Sequence, residues 1–149
     1  MQSNTALVVG ITVGVILGFV GLCMIVLIDF TPSHFTIPDS QQEIVNRCDN
    51  LSMEKSAECV VDNVNTFFIY NITDDNILLT FNELKAKGGD CQNWAVLYED
   101  VGKELGFYTQ RIGIKATDST NHIMTIWSSP KEEIWCYLQN DNYGCMGLG

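Results

Sequence analysis

The chain has 149 residues and a formal net charge of −10, from 18 acidic and 8 basic side chains. That balance argues against nucleic acid as a partner, because phosphate binding needs a basic footprint, and against lying flat on an anionic membrane. Once the apolar opening segment is set aside, about 115 residues remain, enough for one modest core.

Residues 6–28 read ALVVGITVGVILGFVGLCMIVLI, without a charge. At about 1.5 Å per residue, a helix of that length crosses the hydrocarbon layer. A buried core helix would show a polar face. A cleaved signal peptide has a shorter apolar region ending at small residues, and Asp29-Phe30-Thr31-Pro32 offers no such site. The expectation is an uncleaved transmembrane anchor over residues 1–29, a linker over 30–40 and one domain over 41–149. No Lys or Arg precedes Arg47. The α-amino group on one flank and Asp29 on the other place the N-terminus inside and the domain in an extracytoplasmic space. Gly10, Gly14 and Gly18 share one helical face, which would let two anchors pair as a homodimer; glycine is also simply common in membrane helices.

The linker holds two prolines and no periodicity. Residues 41–48 and 53–70 are predicted as helices, the second from the spacing of Ala57, Val60, Val61, Val64, Phe67 and Phe68. A weaker helix is expected over 78–87. Gly88-Gly89-Asp90 then supplies a turn and an N-cap, and a helix runs from Cys91, with Trp94, Leu97, Val101 and Leu105 on one face, to Gly106. Residues 108–115 alternate as a half-buried strand, Tyr108, Ile112 and Ile114 opposite Arg111 and Lys115. Two more strands are expected over 122–127 and 134–139. Helices first and strands afterwards indicate α+β, with the helices packed on a small antiparallel sheet.

Of the six cysteines, Cys23 lies in the anchor. Cys48 with Cys59, and Cys136 with Cys145, are close enough to close short loops, which would leave Cys91 as a free thiol; spacing does not prove that connectivity. No CxxC pair points to zinc. Asp74, Asp75 and Asn76 lack the full calcium-loop pattern, so no metal or other cofactor is expected. Sequons at Asn50 and Asn71 are compatible with export.

Cys91 opens its helix, where unpaired N–H groups and the helix dipole favour a thiolate. A nearby imidazole could act as its base and later as the acid. His34 lies in the linker, so His122, at the start of a strand, is the plausible partner. The blander reading makes Cys91 a small buried side chain or half of a disulfide.

The segment GGDCQNWA, followed by NHIMTIW and IWCYLQNDN, resembles the nucleophile, histidine and third-residue motifs of the transglutaminase-like (papain-related) superfamily. Upstream, VVDNVNTFFIYN resembles that family's helix leading to a Tyr. The likeness spans roughly residues 55–143. It implies that Cys91 is the nucleophile and His122 the base. The family's Asp falls here on Gln139, with Asn140 and Asp141 just beyond. Strand parity with Trp135 and Tyr137 favours Gln139, whose amide carbonyl can hold the imidazole tautomer; a bulge would bring Asp141 in its place. Cys91 N–H would be one oxyanion donor. The absence of a Trp before Cys91 counts against true cross-linking activity. The resemblance therefore implies a membrane-anchored thiol hydrolase acting on a protein or peptide substrate, with acyl transfer as its variant. Two other readings stand beside it: an inactive interaction module of the same fold, and a disulfide-stapled domain with Cys91 paired.

Overall fold

The computed structural model describes residues 36–72, 77–115 and 121–147. These belong to a compact unit, Phe35–Gly149. The expected anchor at 6–28, most of the linker and the Asp74–Asn76 cluster lie outside the described residues. Among the described residues no helix is long and apolar enough to cross a membrane.

Four helices precede four strands: α1 Gln41–Cys48, α2 Met53–Asn65, α3 Phe81–Lys87, α4 Cys91–Glu104, β1 Tyr108–Lys115, β2 Asn121–Ser129, β3 Ile134–Gln139 and β4 Asn142–Gly147. The architecture is α+β. The strands form one antiparallel sheet in the order β1-β2-β3-β4. Local chemistry sets the helix starts. Ser40 accepts the Glu43 N–H, and Thr80 with Glu83 forms a reciprocal capping box. Asp90 accepts the Asn93 N–H at 3.0 Å.

Helix α4 packs on β1, β2 and β3, α2 packs on β3 and β4, and α1 lies against α2 and α4. Trp94, Tyr98, Trp127, Ile44, Met53 and Leu138 are fully buried between them. Each such side chain contributes about 1.5–3 kcal/mol relative to exposure. Two disulfides, Cys48–Cys59 and Cys136–Cys145, tie α1 to α2 and β3 to β4.

The second expected helix stops at Asn65, not residue 70. Thr66 ends it, and its hydroxyl hydrogen-bonds to Asn63 O at 2.6 Å. Helix α3 starts at Phe81 because Thr80 caps it. Strand β2 runs on to Ser129, taking in two residues expected in a turn. Strand β4 was not anticipated. Strand β1 presents its faces in the reverse of the expected sense. Arg111 points to α4, where it pairs with Glu99, and Thr109 packs beside Gly102. Ile114 and Tyr108 are 41% and 71% exposed.

Candidate active site

The turn before α4 is clamped from several sides. Gly88 has φ +75°, and a Cβ there would lie 2.3 Å from Ile69 O. Only glycine lets the 69–71 segment pass so close. That segment pairs with the turn through a bridge between Tyr70 and Gly89: Gly89 N–H donates to Ile69 O and Asn71 N–H to Gly89 O, both at 3.0 Å. The Asn71 amide donates to Lys87 O at 3.2 Å. From the helix side, Trp94 Nε1–H donates to Gly89 O at 2.9 Å. Asn93, fully buried, accepts the Leu79 N–H at 2.8 Å and donates from its side chain to Asp90 at 2.9 Å. Cys91 thus starts α4 from a fixed base, half-buried. It is the one unpaired cysteine among the described residues.

Strand β2 is docked along α4 by two side chains. Thr125 Oγ1 donates to Ala95 O at 2.6 Å, and Trp127 Nε1 donates to Tyr98 O at 2.9 Å. Two strand residues advance about 6.6 Å, close to one helical turn. One further step back along both elements brings the start of β2, with His122, level with the Cys91 end of α4.

Alternation gives His122 the parity of Met124 and Ile126, opposite to Thr125 and Trp127. Leu138 lies across from Thr125, so Gln139 shares the parity of His122. The two meet: His122 Nε2 and Gln139 Oε1 are 3.0 Å apart. Of Gln139, Asn140 and Asp141, Gln139 is the side chain on the imidazole. Since the amide oxygen can only accept, Nε2 carries the proton and Nδ1 is left as the basic nitrogen. The hairpin beyond Gln139 is held from α4, where the buried Tyr98 hydroxyl donates to Asn140 O. Asn140 has φ 45°, which Asn tolerates in a tight turn. Burial, and behind it the Asp141 charge, pushes the Tyr98 phenol far up, so it stays a donor.

Among the described residues no hydrogen bond joins Cys91 to His122. Alternation along β2 turns the His122 side chain to the face opposite to Thr125 and Trp127, whose side chains reach α4, so the regular strand does not bring the imidazole to the thiol. The backbone bridge to Gly89 sets Tyr70 beside the turn that leads into Cys91. Burial first, then the Cys91 and Asp90 charges, pushes the Tyr70 phenol up, so it keeps its proton at neutral pH. Sequence reasoning gave neither Tyr70 nor Asn93 a role at the site. The signal for Tyr70 was its place before the glycine turn; for Asn93, its place three residues after the cap.

A cavity of about 390 Å³, lined among others by Phe107, Tyr108, Ser129 and Pro130, lies toward the opposite end of β2, about 20 Å along the strand from His122. It holds none of the residues above. Among the described residues no group of His, Cys, Asp and Glu is arranged to hold a metal ion. Compared with protein-family models, curated proteins and solved structures, the chain shows no match, so the chemistry of the site is read from its own residues.

Proposed function

We propose that the chain is a membrane-anchored, transglutaminase-like thiol hydrolase that cleaves peptide or amide bonds in an extracytoplasmic space. The observation that supports the reading is the contact of the His122 imidazole with Gln139; the free thiol of Cys91 at the first residue of its helix is consistent with it. The two disulfides support an oxidising compartment. Residues 6–28 supply the anchor in this reading.

In the reaction, His122 Nδ1 takes the Cys91 proton and the sulfur adds to the substrate carbonyl. The negative charge moves to the carbonyl oxygen, toward the Cys91 N–H. Collapse breaks the C–N bond, and His122 returns the proton to the departing amine. Water then attacks the thioester. Its proton goes to His122 and on to the sulfur, releasing a carboxylic acid and the free thiol. Ile69, Ile72, Ile77 and Leu78 are each about half or more exposed on segments leading to Gly89 and Leu79.

A second reading, an inactive interaction module of the same fold, draws on the missing Cys91–His122 hydrogen bond and on an amide where the family has a carboxylate. Iodoacetamide labelling of Cys91 in the full chain, in detergent, separates the two. The hydrolase predicts rapid labelling near pH ~6, slowed about tenfold or more by His122→Ala and by a smaller factor in Gln139→Ala. Labelling confined to the range of an ordinary thiol, above about pH 8, and indifferent to both substitutions would sink the hydrolase and leave the module.

A further inference from the structure

Among the described residues, α4 and α2 are the helices packed on the sheet. They lie on the face to which Thr125 and Trp127 point and which Leu138 shares. The strand registers run without a break, so paired residues share a face and the other face can be read directly. It carries Ile112 across from Met124, Ile126 across from Tyr137, and Trp135 across from Met146. None of these six belongs to the buried core or packs against it. Five are half-buried and Met146 is exposed. No residue of that parity in the four strands is Asp, Glu, Lys or Arg. An antiparallel sheet with one solvated face is normally polar on that side, whereas strands covered on both faces read as continuous apolar runs. Strand β3, IWCYLQ, is of the second kind. The face is also flat where Tyr137 lies: a Cβ on Gly144 would come within 2.6 Å of Tyr137 Cε1, so glycine lets the ring lie down along the neighbouring strand.

We propose that this face binds the same face of a second copy of the chain, the two sheets packing as a sandwich with Ile126, Trp135 and Tyr137 at the contact. Charge and area select that occupant. The chain carries a net charge of −10, and two copies repel wherever their acidic surfaces meet. The outer face of the sheet holds no charge, so there they can meet without opposing like charges. A different protein would be chosen by a complementary charge pattern, and the face presents none. Four strands about 4.8 Å apart and about 20–27 Å long span a flat area of about 400–500 Å². Protruding side chains raise the accessible area toward the ~800 Å² that each partner of a standard interface buries. A twofold pairing of identical faces closes at two copies and leaves no further face to add a third. Sheets stacked in this way lie about 10 Å apart, with the inner side chains interdigitating. His122 and Gln139 stand at one end of the face, beyond these apolar residues, and the pairing does not depend on any chemistry at Cys91.

Sedimentation equilibrium of the full chain in density-matched detergent tests the proposal. Wild type should be a dimer. Ile126→Glu puts a carboxylate in the middle of the contact, where it would be desolvated without a partner, and should weaken dimerisation about a hundredfold or more. Gln110 lies on the same face across from Ile126 and is already polar and exposed, so Gln110→Glu keeps the test decisive should Ile126→Glu fail to fold; it should weaken the dimer about tenfold. Gly14→Leu controls for pairing through the apolar N-terminal segment and should leave a dimer. A monomeric wild type overturns the proposal, as it would if the chain's own N-terminal segment or another protein covers the face. So does a dimer that persists in Ile126→Glu and Gln110→Glu, or one that only Gly14→Leu dissociates.

Discussion

The spacing between the helix that carries Cys91 and the strand that carries His122 is set at Gly102. A Cβ built there would lie 2.4 Å from Trp127 Nε1, 2.6 Å from Trp127 Cε2 and 2.7 Å from Thr109 Cγ2. Trp127 is fully buried and its Nε1 donates to Tyr98 O, so it has little freedom to yield. Gly102→Ala should therefore act by overpacking, which costs about 1–3 kcal/mol. Displacing the indole also weakens a buried hydrogen bond worth about 1 kcal/mol. Against these stands the helix preference of Ala over Gly, about 1 kcal/mol. The net expectation is a destabilisation of about 2 kcal/mol. Urea unfolding of the oxidised protein, followed by tryptophan fluorescence, reads it as a lower midpoint with unchanged slope. Trp127→Phe should relieve the contact, so that the double variant loses less than the two single variants together. If Gly102→Ala unfolds at the wild-type midpoint or above, Trp127 has room to move, and the argument that this contact sets the helix–strand distance is wrong.

Two other properties can be checked on the same preparation. Cys48–Cys59 and Cys136–Cys145 close loops of 11 and 9 residues, so replacing either pair by Ala should lower stability by about 2.5–3 kcal/mol. A loss below about 1 kcal/mol would show that the unfolded chain gains little freedom. The Glu99 carboxyl is held below its ordinary range, first by the hydrogen bond from Lys103 and further by Arg111, against a smaller effect of burial. Its stabilising effect is therefore full above the unfolded-state value of about 4.3 and is lost as pH falls through the lower native value. Wild type should exceed Glu99→Gln in urea midpoint at pH ~6, and the gap should close on acidification toward pH ~3; a gap independent of pH would refute the assignment.

How far the sequence disclosed this molecule depends on whether the signal was local. Helix α4 was legible from both ends, because Asp90 caps it and its apolar residues repeat with the helical period. The ends of β1 and β3 were legible for the same kind of reason. The facing of β1 was not. Its isoleucines looked like the inward set, but Glu99 on α4 draws Arg111 to the inner side and Trp127 already fills the space there. Strand β4, NYGCMG, has no apolar alternation. Pairing with β3 and the Cys136–Cys145 crosslink make it a strand, and both are tertiary facts. At the site, Cys91, His122 and Gln139 could be chosen from residue type and parity. The contact between His122 and Gln139 followed that parity, whereas the proximity of Tyr70 to Cys91 depends on a bridge across 19 residues of chain, which no periodicity announces.

The arrangement of the crosslinks also bears on how the chain matures. Cys91 stands between the two pairs in sequence, not outside them. As the polypeptide emerges from its N-terminus, Cys48 and Cys59 appear together and can join before Cys91 is made. The hazard comes later, when Cys136 and Cys145 emerge beside a thiol that is the better nucleophile if it is ionised. Short loops close faster than long ones, and the 136–145 hairpin is the shorter route by far. Slow or weak pairing of β3 with β4 would thus be felt first at Cys91, as a mispaired molecule with its helices intact.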